Sequence, residues 1–184
     1  IKTAVNLIGY SMGGGISTIF AANHPERVKR LILMAPVGFI LKHRGINKLL
    51  LIPVLGEWLM AIVVKKKMID HYYSEVERGV APRIMAESFE QQFEYPGVEH
   101  AFLSSLRNFP MENLQAEYQQ LGETTFPKLL IWGTEDSDTP FAGSEKILRL
   151  IPDIQFLKIE GGGHSIPYTH DDIVNREIVD FLKK

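Results

Sequence analysis

Apolar residues along this chain are arranged in two ways. In the first kind of stretch they form short runs, continuous at Leu31–Ala35 and Leu129–Trp132 and interrupted by Asn6 in Ala4–Ile8 and by Gln155 and Lys158 in Ile154–Ile159. A run of about four to eight apolar residues, closed by Gly, Pro or charge, reads as a strand buried on both faces of a parallel sheet. In the second kind they recur every three or four positions, as along one face of a helix. Ser11–Asn23 carries Ile16, Ile19 and Phe20 in this way, and Ser144–Ile151 carries Ile147, Leu148 and Ile151. Toward the C-terminus Val174, Ile178, Phe181 and Leu182 make a third stripe. His24-Pro25 closes the first helix, Pro36 stops the second strand, and Thr169–Asp172 has the spacing of a capping box opening the last helix. Strands at 4–8, 31–35, 128–132 and 154–159, alternating with helices, predict a parallel α/β sheet with crossover connections.

Between residues 37 and 126 the strand pattern is lost. Leu49–Val64 is strongly apolar but is broken by Pro53 and Gly56 and ends in Lys65-Lys66-Lys67. It is too short and too interrupted to span a bilayer. The lysines leave an amphipathic segment on a membrane surface as the lesser reading. Ile69–Tyr73, Arg83–Phe93, Glu99–Asn108 and Met111–Gln120 read as short helices with polar connections. Residues 37–126 are therefore expected to form a helical cap inserted into a sheet domain made of residues 1–36 and 127–184.

Composition narrows this only slightly. The chain has 184 residues, 45% hydrophobic and 23% charged, enough for one globular domain with an insertion. A net charge of −2 gives no footprint for nucleic acid and little attraction to an anionic membrane. With no cysteine there is no disulfide, no Cys-ligated zinc and no thiol nucleophile, which fits a reducing, cytoplasmic setting.

The chemistry gathers at strand ends. Gly9-Tyr10-Ser11-Met12-Gly13 stands where the first strand turns into the first helix. Such a turn forces its apex residue into strained angles, and side chains at the flanking glycine positions are expected to collide with it. Ser11 is thereby held clear of the backbone, beside a helix N-terminus whose dipole and Met12 N–H favour a developing oxyanion. The plainer reading is a glycine-rich turn with an incidental serine. A serine nucleophile needs a base, and the base an orienting carboxylate. His164 follows Gly161-Gly162-Gly163 on the loop after the last strand, where nothing apolar would hold it. His24, His43, His71, His100 and His170 lack such placement and read as structural or solvated. Glu135, Asp136 and Asp138 all lie on the loop after the third strand and remain alternatives for the acid. The order is serine, acid, histidine. His164 and His170 are not at metal-site spacing, and nothing calls for a cofactor.

Three segments together resemble the cap-bearing α/β-hydrolases: Gly9-Tyr10-Ser11-Met12-Gly13-Gly14, Leu130-Ile131-Trp132-Gly133-Thr134-Glu135-Asp136 and Gly162-Gly163-His164. The resemblance covers the C-terminal two-thirds of such a protein and is close over 1–36 and 127–184. It selects Asp136 as the acid, and it implies a triad of Ser11, Asp136 and His164 with Met12 in the oxyanion hole. Tyr10, Trp58 and Leu59 become candidates for substrate binding, and Leu50, Ile52, Val54 and Leu55 for further pocket contacts. It also implies N-terminal strands, and a loop giving a second oxyanion donor, that are missing here. Strand 4–8 is then expected to pair with an N-terminal segment or a second chain. The implied reaction is cleavage of a small carboxylic ester, with a lipophilic acyl or alcohol part, through an acyl-enzyme. Carbon–carbon hydrolases of dienoic ring-cleavage products, aminopeptidases and perhydrolases share the triad. Dehalogenases and epoxide hydrolases, with aspartate at the apex, do not fit. A non-catalytic binding module on the same scaffold is the alternative from another class.

Overall fold

The computed structural model describes residues 3–39 and 46–183; His43 lies outside the described residues. The chain begins with β1 (Val5–Tyr10), α1 (Met12–Asn23), a single 3₁₀ turn at Pro25–Arg27 and β2 (Val28–Met34). Helices α2 (Ile46–Leu50) and α3 (Leu55–Leu59) follow, then a π-helical turn at Met60–Val64 that runs into α4 (Lys65–Glu77). Next come α5 (Arg83–Gln92), α6 (Val98–Asn108) and α7 (Gln115–Gly122). The chain closes with β3 (Lys128–Gly133), α8 (Ala142–Leu150), β4 (Gln155–Ile159), α9 (Ile166–Thr169) and α10 (Asp171–Lys183).

Two compact units result, one of Ile1–Ile40 with Pro110–Lys184 and the other of Leu41–Phe109. The helical unit is narrower than the 37–126 read from the sequence. The difference is α7, which with Leu114 just before it joins the sheet unit's core through Tyr118 and Leu121. Tyr118 there is fully buried, donates its hydroxyl to the Val37 carbonyl at 2.9 Å, and has its phenol pushed up by burial.

The sheet unit is a four-stranded, all-parallel sheet in the order β1-β2-β3-β4. Its continuous apolar runs are explained by the two cores. Leu31, Leu33, Leu130 and Trp132 face one side with α1, α7 and α8 residues such as Ala21, Tyr118 and Ile147. Ile32, Met34, Leu129 and Ile131 face the other, against Ile166, Val174 and Phe181 of α9 and α10. Alternate side chains thus need apolar partners on both faces.

The readings of β1 and of the cap of the last helix require correction. Within the described residues β1 is not buried on both faces, since Ile8 is 44% exposed, and its open edge at one end of the order is the edge expected to pair outside this chain. Helix α1 buries Gly14, Gly15, Ser17, Thr18 and Ala21, while Ile16 is half exposed. Small residues let the helix approach closely: a Cβ on Gly14 would lie 2.6 Å from that of Pro36. Thr169 does not cap the last helix. It ends α9, where its hydroxyl donates to the Ser165 carbonyl at 3.1 Å, and α10 starts at Asp171.

The helical unit has a core of Leu50, Met60, Val64 and Leu103. Arg107 of α6 ties its first turns together, with Nε donating to the Leu50 carbonyl (3.1 Å) and Nη2 to that of Ile52 (3.3 Å). Nη1 and Nη2 also grip Glu57 at 2.6 and 3.0 Å. Gly56 is required at this crossing, because a Cβ would strike the Leu50 carbonyl and the Arg107 guanidinium. Val54 and Trp58 remain 81% and 59% exposed. No helix among the described residues is long and apolar enough to cross a membrane.

Candidate active site

The serine sits in the strained turn that its glycine neighbours predict. Ser11 has φ 54° and ψ −122°, a region that costs a non-glycine residue about 1–3 kcal/mol. The surroundings hold it there. Its N–H donates to the Met34 carbonyl at 2.9 Å, and its carbonyl accepts from Gly14 (3.0 Å) and Val37 (3.1 Å). β2 and the chain just after it thus clamp the apex.

The expected steric role of the flanking glycines holds at one of them. A Cβ on Gly9 would lie 2.5 Å from both the Gly13 carbonyl oxygen and Ser17 Oγ. A Cβ on Gly13 would meet nothing within 4 Å. Gly14, packed on Pro36, is the second position that demands glycine.

Three strand ends then bring the candidate residues together. His164 Nε2 lies 2.9 Å from Ser11 Oγ, and His164 Nδ1 lies 2.8 Å from Asp136 Oδ2. With Nδ1–H donating to the carboxylate, Nε2 is left to accept the serine proton. Asp136 is buried and Glu135 and Asp138 are exposed. Asp138 serves only through its backbone N–H, which donates to Asp136 Oδ1 at 2.9 Å.

The acid and base loops are fastened to each other as well. Thr134 N–H donates to the Ile159 carbonyl (3.0 Å) and Glu135 N–H to that of Gly162 (2.8 Å). Gly161 N–H donates to Thr134 Oγ1 at 2.9 Å. A Cβ on Gly133 would strike the Gly162 carbonyl, so the glycine ending β3 allows the loops to touch.

Met12 N–H is the first amide of α1 and takes no backbone acceptor among the described residues. It opens beside Ser11 at the positive end of a 12-residue helix. Tyr10, expected to touch substrate, donates its hydroxyl to the His164 carbonyl at 2.9 Å, and the two rings lie 5.1 Å apart. Trp58 and Leu59 belong to the helical unit, where Leu59 packs against its core. Sequence reasoning missed Thr139, buried beside Asp136 and hydrogen-bonded to both of its carboxylate oxygens. Its position three residues after the acid, just before Pro140, was the only signal. Among the described residues no group of three or more His, Asp or Glu side chains is placed to hold a metal ion.

Comparisons with known proteins agree with this architecture. The chain is 26% identical over 188 residues to the uncharacterized hydrolase YugF of Bacillus subtilis (strain 168), covering 100% of this chain and 66% of that protein. It is 27% identical over 183 residues to a 2-hydroxy-6-oxononadienedioate/2-hydroxy-6-oxononatrienedioate hydrolase of Comamonas testosteroni, covering 96% of this chain and 62% of that one. The chain thus spans somewhat less than two-thirds of these relatives' length. Its fold matches the crystal structure of the enol-lactonase from Burkholderia xenovorans LB400 with a TM-score of 0.76 at 19% identity, over 99% of this chain and 66% of that one. The model of the alpha/beta hydrolase fold matches residues 2–171. From the elbow at Ser11 to the helices behind β4, the chain belongs to the α/β-hydrolase fold family.

Proposed function

We propose that this chain carries the catalytic centre of a serine hydrolase that cleaves a carboxylic ester through an acyl-enzyme. The observation behind the reading is a single imidazole joined to a serine hydroxyl at 2.9 Å and to a buried carboxylate at 2.8 Å. Ser11 Oγ attacks the substrate carbonyl while His164 Nε2 takes its proton. Asp136 keeps the imidazole in the required tautomer and stabilises the imidazolium. Met12 N–H binds the oxyanion, helped by the α1 dipole. His164 then protonates the leaving alcohol, and water repeats the sequence to release the acid. No cofactor takes part. The exposed apolar side chains of the helical unit, Val54 and Trp58 foremost, support a lipophilic acyl or alcohol group.

A second reading is cleavage of a carbon–carbon bond in a dienoic ring-cleavage product by the same serine, supported by the name of the Comamonas testosteroni relative. The proposal includes an additional strand, from an N-terminal segment or a second chain, on the outer edge of β1. A cytoplasmic location accords with the absence of cysteine, and the net charge of −2 speaks against a nucleic-acid partner. The test is a fluorophosphonate probe with mass mapping, followed by turnover of p-nitrophenyl acetate, butyrate and octanoate and of a 2-hydroxy-6-oxo-dienoate. Adduct on Ser11 with preference for the longer esters is the expected result. Turnover of the dienoate alone selects the second reading, and a folded protein that leaves Ser11 unlabelled overturns both.

A further inference from the structure

The Asp136 carboxylate receives four hydrogen bonds, two on each oxygen. Oδ1 accepts from the N–H groups of Asp138 (2.9 Å) and Thr139 (2.8 Å). Oδ2 accepts from His164 Nδ1 (2.8 Å) and from the Thr139 hydroxyl (2.8 Å). Thr139 therefore supplies half of the donors, one to each oxygen. It is the one residue that fixes the carboxylate at both ends.

We propose that Thr139 is the positioning residue of the site, its hydroxyl locking the Asp136 carboxylate in the rotation that presents Oδ2 to His164. The inference rests on the triad reading above.

The geometry around Thr139 Oγ1 carries the argument. Besides Asp136 Oδ2 it lies 3.2 Å from the Ala35 carbonyl and 3.2 Å from His164 Nδ1. The hydroxyl has one proton for two acceptors, and the charged, nearer carboxylate takes it. Were the proton turned to Ala35, a lone pair of Oγ1 would face His164 Nδ1–H and compete with Asp136 for it. Donation to Oδ2 removes that competition, so one hydroxyl both holds the acid and keeps the imidazole proton on it.

Thr139 is in turn anchored to the sheet. Its carbonyl accepts the indole N–H of Trp132 at 2.9 Å, and Trp132 lies on β3 in the core. A path of direct contacts thus runs from the sheet through Thr139, Asp136 and His164 to Ser11. Every side chain on it before His164 is buried. Burial excludes the water that would otherwise replace a lost donor, so removing the hydroxyl leaves Oδ2 under-satisfied.

Thr139→Val keeps the shape and removes only the hydroxyl, and Thr139→Ser keeps the hydroxyl. Two readouts separate the possibilities: the downfield proton resonance of His164 Nδ1–H, and the rate of fluorophosphonate labelling of Ser11. The expectation is that the valine variant folds with a lowered melting temperature, loses or broadens the downfield resonance, and labels roughly tenfold more slowly. The serine variant should restore both. Thr139→Cys, with a weak S–H donor, substitutes if valine does not fold and should fall between the two. An unchanged resonance and labelling rate in the valine variant would overturn the proposal, as would a folded serine variant that rescues neither. If wild-type Ser11 does not label at all, the triad reading falls. The Nδ1–H resonance still decides, in that event, whether Thr139 holds the Asp136–His164 pair.

Discussion

The sheet unit and the helical unit use polar side chains in opposite ways. At the rim of the sheet they are buried and saturated: Asp136 accepts four hydrogen bonds and the His164 side chain is only 10% exposed. In the helical unit, pairs such as Lys66–Asp70 and Arg83–Glu87 lie on the surface, one helical turn apart. Apolar side chains follow the reverse rule, filling both faces of β2 and β3 yet standing exposed at Val54 and Trp58. Chemistry needs groups fixed before the substrate arrives, and converging strand ends held by buried hydrogen bonds provide that. Side chains on the exposed helical surface are not fixed in that way.

The largest effect that would test this division is on turnover. On the proposed reading, Ser11→Ala is expected to lower ester hydrolysis by on the order of 10⁶-fold, while Trp58→Ala is expected to leave kcat on the short ester unchanged. Steady-state kinetics on p-nitrophenyl butyrate and octanoate measure both. If Trp58→Ala were to lower kcat on the short ester as severely as Ser11→Ala, chemistry would not be confined to the sheet unit.

Next in size is association. β1 is paired by β2 alone among the described strands, and its free edge offers a template to another chain. The isolated chain is expected to self-associate at micromolar concentration, and Ile8→Lys, which charges that exposed edge strand, should reduce the association. Light scattering over a dilution series reads both. Monodisperse monomer throughout would remove the case for an additional strand on β1.

Smaller again is the contrast between two glycines of one motif. Gly9→Ala should cost about 1–3 kcal/mol through its clash with the Gly13 carbonyl and Ser17 Oγ. Gly13→Ala has open space and should gain up to about 1 kcal/mol of helix propensity. Denaturant melts of the two variants decide; equal losses would mean that the elbow cannot relax at either position.

How far the sequence could be read follows the same division. The sheet was legible because strands buried on two faces must be continuously apolar, and because Ser11, the acid loop and His164 each follow a strand end. β1 is apolar like β2 but half open within the described residues, with Ile8 exposed, as the expectation of a pairing partner outside this chain implies. The inward face of α1 left no apolar stripe to read, because its buried residues are Gly14, Gly15, Ser17, Thr18 and Ala21, not Ile16. Thr139 was invisible for another reason. Its role depends on the loop folding back so that the third residue after the acid caps both carboxylate oxygens, which no periodicity records. In the helical unit the existence of helices was plain, but α7 belongs to the other unit because of Tyr118 and Leu121, which look like any amphipathic pair.

The smallest expected effect lies in the helical unit and tests whether its surface pairing contributes to its order at all. The hydrogen bonds from Arg107 chiefly, with help from the residue's own backbone N–H, hold the Glu57 carboxyl down from 4.5 to about 2. Folded Glu57 therefore stays charged until the pH nears about 2, whereas in the unfolded chain it takes up a proton near 4.5. Its contribution is present in full above the unfolded value and is lost as the pH falls through the folded one. Because the Glu57 side chain is 42% exposed, solvent screens the pair and the effect is small. Glu57→Gln isolates it, since Arg107 keeps its bonds to the Leu50 and Ile52 carbonyls when the charge is gone. Thermal melts of wild type and Glu57→Gln should differ above about pH 5 and converge toward pH 2, with wild type the more stable where they differ. A gap that stays constant with pH would show that the carbonyl bonds of Arg107, and not its charge pair with Glu57, hold the turn between α2 and α3.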